Sequence, residues 1–216
     1  MRFLKKTNKL YYDKYVYKVE TYNPLSTIYR ERDLGKVRAT LNEYDIRVQA
    51  SKGRLVIGKT WSTKNITTDD IFNNIQFLTL LEAETSFAIR VEGDYVNLYT
   101  NNKDLVDQLC LIGKIVREVV VPKSDKIRDY LLSNPNKIVV SEYTHKYKVG
   151  ISGLGLQADS FIGWAENMPK VKLCGKKRYI ADSYFYVTDD KVLGLCRLFL
   201  GKKIRRIDEL VTESEI

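Results

Sequence analysis

From position 87, Phe87, Ile89 and Val91 alternate with Ala88, Arg90 and Glu92, the period of a half-buried strand. Glu92-Gly93-Asp94 makes a tight turn, and residues 95–100 return as a second strand. Upstream the period changes. Ile71, Ile75 and Leu78 recur at helical spacing, and Phe72, Phe77, Leu80 and Leu81 widen the apolar face. Thr67-Thr68-Asp69-Asp70 supplies a capping hydroxyl and two acids for a helix N-terminus, so a helix is predicted to about Glu84. Downstream, Asn102 caps a predicted helix over 103–112, which Gly113 closes. Residues 116–121 form a last strand, stopped by Pro122. Arg54-Leu55-Val56-Ile57-Gly58 reads as the short strand that opens the series.

The series is written a second time. Asp94, Thr100, Lys103, Leu105, Gly113, Lys114 and Arg117 match Asp182, Thr188, Lys191, Leu193, Gly201, Lys202 and Arg205 at a constant offset (182 − 94 = 88). A repeat of this length is one supersecondary unit used twice. The second copy predicts a strand over 146–151, a helix over 157–168, a hairpin of 170–181 and 183–188, a helix over 191–200 and a strand over 203–207. Each copy has the order β-α-β-β-α-β. That is the ferredoxin-like pattern, in which two helices cover one face of a four-stranded antiparallel sheet and the other face is left open.

The expected fold class is therefore α+β, with two tandem ferredoxin-like repeats over 51–122 and 146–211. An N-terminal α/β extension over 1–50 precedes them, a helix and strand over 123–145 connect them, and 212–216 is a tail. The extension holds a Tyr-rich strand (Tyr11, Tyr12, Tyr15, Tyr17, Tyr22), a break at Pro24, a charged helix over 26–41 and a strand over 45–49. The connector holds a helix over 124–132, the turn Asn134-Pro135-Asn136 and a strand over 137–141.

Hydrophobic content of 44% and charged content of 29% describe a globular chain, and 216 residues can bury a sizeable core. The net charge of +9 attracts polyanions, of which nucleic acid is the commonest and an acidic protein or membrane surface the rival. The abundance of Lys, Asn, Ile and Tyr is associated with A/T-rich genomes such as those of phages, viruses and organelles. No apolar run approaches the ~20 residues of a spanning helix. Met1-Arg2-Phe3-Leu4-Lys5-Lys6 has no apolar signal core, so an intracellular location is the default expectation. The three cysteines, Cys110, Cys174 and Cys196, form no CxxC pair and read as buried free thiols. The one histidine, His145, excludes two-His metal sites.

Tyr184-Phe185-Tyr186-Val187 resembles the core of the ribonucleoprotein motif of RNA-recognition-motif domains and falls on the strand where that family carries it. Strand alternation sets Tyr184 and Tyr186 on one face. The resemblance implies that their rings are platforms for bases, each worth ~1–3 kcal/mol. The leading basic-Gly pair of the motif is Asp182-Ser183 here, and its final aromatic is Asp189. Val149-Gly150-Ile151-Ser152-Gly153-Leu154 resembles the partner motif without its aromatic. At the repeat offset, Val96 and Leu98 stand where the first copy would carry the platform.

Residues 77–87, Phe77-Leu78-Thr79-Leu80-Leu81-Glu82-Ala83-Glu84-Thr85-Ser86-Phe87, resemble the LAGLIDADG signature of homing endonucleases and maturases. The resemblance implies that Glu84 is the acid that helps hold a divalent metal, Mg²⁺, at a scissile phosphate. Thr85 replaces the signature glycine. Met168 occupies the acid's place in the second copy, where a cleaving enzyme needs another acid. A binding-only descendant is the form of this family that the residues fit best.

Basic residues cluster beside the aromatic strand. Lys170, Lys172, Lys176, Lys177 and Arg178 lie on one hairpin, Lys202, Lys203, Arg205 and Arg206 lie at the last strand, and Lys123, Lys126 and Arg128 follow the first copy. Such residues neutralise phosphates without reading sequence. His145 has the pKa range of an acid-base catalyst but stands in a polar turn. Asp189-Asp190 precedes a helix and reads as its cap. Gly150, Gly153 and Gly155 lack the Gly-Lys-Ser/Thr of a phosphate loop. The expected function is nucleic-acid binding without catalysis or cofactor, on a sheet face carrying Tyr184, Tyr186 and the two clusters. The alternatives are a LAGLIDADG-like endonuclease using Glu84 and a structural or assembly protein with an acidic partner. No membrane partner is expected.

Overall fold

The computed structural model describes residues 3–58, 63–112, 115–152, 158–174 and 184–216. The chain divides into two units, residues 1–7 with 14–123 and residues 8–13 with 124–216. The first contains β1 (Phe3–Thr7), β2 (Tyr17–Tyr22), a 3-10 turn (Ser26–Glu31), α1 (Leu34–Ala50), β3 (Arg54–Ile57), β4 (Lys64–Thr67), α2 (Thr68–Glu82), β5 (Phe87–Glu92), β6 (Tyr95–Thr100), α3 (Lys103–Leu109) and β7 (Val116–Pro122). The second contains α4 (Asp125–Ser133), β8 (Lys137–Val140), β9 (Tyr147–Ile151), α5 (Ala158–Glu166), β10 (Val171–Cys174), β11 (Tyr184–Val187), α6 (Asp190–Leu200) and β12 (Ile204–Thr212).

The first sheet has the order β1-β7-β2-β6-β5, and the second β8-β12-β9-β11-β10. The two match position for position. In each, four antiparallel strands make the ferredoxin-like core, and a fifth strand, β1 or β8, joins the edge in parallel. The α+β fold with two ferredoxin-like repeats is therefore present.

Its first strand is not the expected one. Arg54–Ile57 pairs with Lys64–Thr67 in a separate hairpin. The Tyr-rich segment supplies the strand instead, because Tyr17, Val19 and Thr21 are all buried while β3 buries Leu55 alone. Tyr17-Lys18-Val19 is then the counterpart of Tyr147-Lys148-Val149 (147 − 17 = 130). The 3-10 turn, α1 and the β3–β4 hairpin are an insertion in the first unit. The strand expected over 45–49 is helix: α1 runs to Ala50, capped by Asp33, with Leu41 and Val48 buried two turns apart and Ile46 exposed. The predicted last strand of the second copy runs on to Thr212 because β8 pairs with its end.

Local chemistry explains the helices. Thr67 and Asp70 form a reciprocal capping box on α2. Asn102 caps α3 and Asp189 caps α6 through their side chains. In the second unit Phe161, Ile162 and Ala165 of α5 and Val192, Leu193 and Cys196 of α6 bury Val149, Phe185 and Val187 of the sheet. Each fully buried side chain of this size contributes ~1.5–3 kcal/mol.

The structural repeat runs at two offsets. The caps, Asn102 and Asp189, are 87 apart (189 − 102 = 87), and so are the buried helix residues Leu105 and Val192. The last strands are 88 apart, since Val119 faces Val19 as Ile207 faces Val149 (207 − 119 = 88). Arg117 and Arg205 both stand at a bulge in that strand. The second unit has one residue more between its helix cap and this bulge. A one-residue slip moves a side chain to the other face of a sheet.

Candidate nucleic-acid interface

The second sheet turns Tyr147, Val149, Phe185 and Val187 toward its helices, so alternation sends the residues between them to the opposite face. Two rows cross that face. Lys172 pairs with Tyr186, Tyr186 with Lys148, and Lys148 with Asp208. In the next row Cys174 pairs with Tyr184, Tyr184 with Gly150, and Gly150 with Arg206. Tyr184 and Tyr186 are thus brought together, as expected, with ring centroids 5.7 Å apart and planes at 82°. Tyr184 is 41% exposed, and Tyr186 is half-buried.

Two cations join the rings. The Lys148 ammonium stands 3.9 Å from the Tyr184 centroid, within cation–π range. Burial, then Lys9, lowers the Lys148 pKa, while Asp208 opposes the shift. Lys172 is exposed beside Tyr186. Strand alternation applied to Tyr147-Lys148-Val149 carries the signal for Lys148, since the flanking apolar pair faces inward. Arg206 is occupied differently. Its Nε donates to Asp208 at 2.6 Å, and its Nη1 pairs with Asp13 at 2.5 Å. Asp13 and Asp208 therefore balance one of the expected phosphate contacts.

The remaining basic residues spread out. Lys170 is bound to the helix-capping Asp189 at 2.9 Å. That contact, followed by the Val192 amide, lowers the Asp189 pKa to about 2. Lys202 and Lys203 stand in a 3-10 turn after α6, and Arg205 is exposed at the bulge. Lys176, Lys177 and Arg178 lie outside the described residues. Lys126 is exposed on α4, and Arg128 pairs there with Asp125 and Asp129.

His145 approaches the platform from the side, 6.1 Å from the Tyr186 ring, and shares a hydrogen bond with Thr144. Burial and Lys172 lower its pKa, which favours the neutral ring. Asp190 accepts from Tyr147 at 2.6 Å and pairs with Lys146. Only Cys196 is a fully buried thiol, its pKa pushed up to about 11 by burial; Cys110 and Cys174 are half-buried.

The structural offset also corrects the comparison between copies. Leu98 faces Val19 as Phe185 faces Val149, so Leu98 and Val96 are core residues, both fully buried. The counterparts of Tyr184 and Tyr186 are Asn97 and Tyr99, which face Glu20 and Lys18. Both are buried. Glu118 faces Glu20 where Arg206 faces Gly150. The first sheet therefore carries carboxylates at the places where the second carries a glycine and an arginine.

Glu84 lies in the turn after α2. One carboxylate oxygen accepts from the Thr85 and Ser86 amides at 2.9 and 3.0 Å, and the other accepts from Asn102 at 2.8 Å. These bonds, the Ser86 amide first, lower its pKa. Met168 packs against the second core. Among the described residues, no three His, Cys, Asp or Glu side chains converge as a metal ligand set. Among them, too, no helix is long and apolar enough to cross a membrane.

Comparison with models of known protein families and with curated proteins gives no match to this chain.

Proposed function

We propose that the second unit binds nucleic acid without catalysis, on the β9–β11–β10 side of the sheet face away from its helices. The observation that carries the reading is the juxtaposition of Tyr184, Tyr186, Lys148 and Lys172 in adjacent rows of one sheet. An unpaired base stacks on a tyrosine ring regardless of its identity, and a lysine beside the ring meets the phosphate that follows. Lys148 rests on the Tyr184 ring and is positioned to exchange that contact for a phosphate when a base arrives. Lys202 and Arg205, exposed where β12 begins, extend the positive field. Such binding is salt-sensitive and weakly selective.

The resemblance to RNA-recognition-motif domains supports this reading through the placement of the two tyrosines. The endonuclease alternative rests on Glu84, whose oxygens already accept from Thr85, Ser86 and Asn102. An acidic protein partner would use the lysines and leave the tyrosines without a role. Fluorescence anisotropy of labelled single- and double-stranded oligonucleotides over a salt series tests the proposal. Binding at low salt that weakens as salt rises, and falls in Tyr184→Ala, is the expected result. Absence of binding at low salt overturns it.

A further inference from the structure

The helices of each unit carry a second pattern of exposed apolar residues. Leu111 and Leu198 are each 83% exposed. They stand 87 residues apart (198 − 111 = 87), the offset that relates the helix caps, with Leu198 inside α6 and Leu111 in the turn after α3. Around each leucine the surroundings differ.

In the first unit Leu111 borders a groove. Ile75, Gln76, Thr79 and Leu80 of α2, with Leu111 and Ile112 after α3, line about 400 Å³. Asp104 and Asp107 are exposed on α3 beside it. In the second unit Leu198 belongs to a ridge. Leu195 is 37% and Phe199 47% exposed, and the Phe199 ring rests on Trp164 with centroids 4.8 Å apart. Lys191, Arg197 and Lys202 are exposed around this ridge.

Two glycines add to the ridge. Among the described residues, a Cβ at Gly163 of α5 or Gly194 of α6 would meet nothing beyond its own helix backbone and chain neighbours within 4 Å. A mid-helix glycine weakens a helix, and packing among the described residues does not require either one. A surface arriving from outside could use both to approach the backbone.

We propose that the ridge of one copy, Leu195, Leu198 and Phe199, docks into the α2–α3 groove of a second copy. The two surfaces are complementary in sign along α3: an apolar ridge rimmed by Lys191, Arg197 and Lys202 meets a groove whose α3 side carries Asp104 and Asp107, with Arg38 bound to Thr79 at its other side. Contact between two different patches either closes a pair in which each ridge enters the other's groove, or runs on as a chain or ring. The inference does not depend on nucleic-acid binding.

Sedimentation velocity without nucleic acid, over a concentration series, tests it. The wild-type mass should rise with concentration above the 25.1 kDa of one chain. Leu198→Glu and Leu111→Glu, both at exposed positions, should each abolish the rise. Mixed in equal amounts, they should form a 1:1 pair and stop, since one keeps its groove and the other its ridge. The truncations Leu198→Ala and Leu111→Ala should weaken association roughly tenfold each, and Tyr184→Ala should associate as the wild type does. A wild type that stays at one chain's mass, a mixture that stays monomeric, or association lost in Leu198→Glu but unchanged in Leu111→Glu would each overturn the proposal. The last outcome would mean ridge against ridge.

Discussion

The two sheets share one frame and differ at a few positions on the face away from the helices. Lys18 and Lys148 occupy the same place in the same Tyr-Lys-Val strand. Next to them stand Glu20, Asn97, Tyr99 and Glu118 in one sheet, and Gly150, Tyr184, Tyr186 and Arg206 in the other. In the first, Lys18 pairs with Glu20 at 3.2 Å, and Lys5 pairs with Glu118. In the second, Gly150 stands at that place, Asp208 opposite Lys148 is held by Arg206, and the Lys148 ammonium lies over the Tyr184 ring. The difference shows how one lysine acquires two roles. A carboxylate two residues along the strand makes it part of a closed ion-pair group, and a glycine there releases it to an aromatic surface.

The largest effect separates frame from face. Phe185→Ala should cost about 3–5 kcal/mol, and Leu98→Ala, its counterpart, about 2–5 kcal/mol, in urea unfolding. A large loss at one position with none at the other would break the equivalence of the two core positions. Next, Tyr184→Ala and Tyr186→Ala should each weaken oligonucleotide binding by ~1–3 kcal/mol in anisotropy titrations. Tyr99→Ala should leave binding unchanged and lower the urea midpoint, because Tyr99 is buried. Loss of binding in Tyr99→Ala would move the interface to the first unit.

Gly150→Glu transfers the first sheet's carboxylate into the second. A Cβ at Gly150 would lie 3.7 Å from the Arg206 Cβ, an ordinary contact, so the sheet should hold. Binding should fall roughly tenfold as the new charge draws Lys148 and repels phosphate. Unchanged affinity at low salt would remove Lys148 from the interface.

The smallest effect compares the helix caps. Asp189 is depressed to about 2 by its bond with Lys170 and then by the Val192 amide. A carboxylate with a depressed folded pKa contributes stability above its unfolded value and loses it as pH falls through the folded one. The contribution of Asp189 should therefore fade between about pH 4 and pH 2. Asp189→Asn, which copies the Asn102 cap of the first unit, should flatten that part of the stability–pH profile. A profile identical to wild type in urea melts across this window would refute the assignment.

Much of this architecture was legible from the chain. Capping residues at Thr67, Asn102 and Asp189 and the alternation in β5, β6 and β11 gave the right elements, because each is a local rule satisfied by a few neighbouring residues. The Tyr-rich strand was legible, but its place as the first strand of the unit was not. Tyr17 and Val19 alternate with Lys18 and Glu20 like a surface strand, and the insertion from Ser26 to Thr67 separates β2 from the strands it joins. The tyrosine pair of the second unit was legible through Tyr184 and Tyr186, and alternation put Lys148 on the face away from the helices, yet the contact of Lys148 with Tyr184 and the Asp13–Arg206–Asp208 group were not legible. Those contacts join strands distant in the chain, and only pairing register says which residues meet.

The sequence by itself determined the α+β class, the duplication and the face on which Tyr184 and Tyr186 stand, since strand period and repeated turns are local and directional. Tertiary structure decided the register of the repeat. The seven matching residues align at 88, whereas the platform strand and the helix after it correspond at 87. Residue identity records neither the extra residue between cap and bulge nor its effect. Because side chains alternate across a sheet, that single residue decides that Asn97 and Tyr99, rather than Val96 and Leu98, are the counterparts of the tyrosine pair.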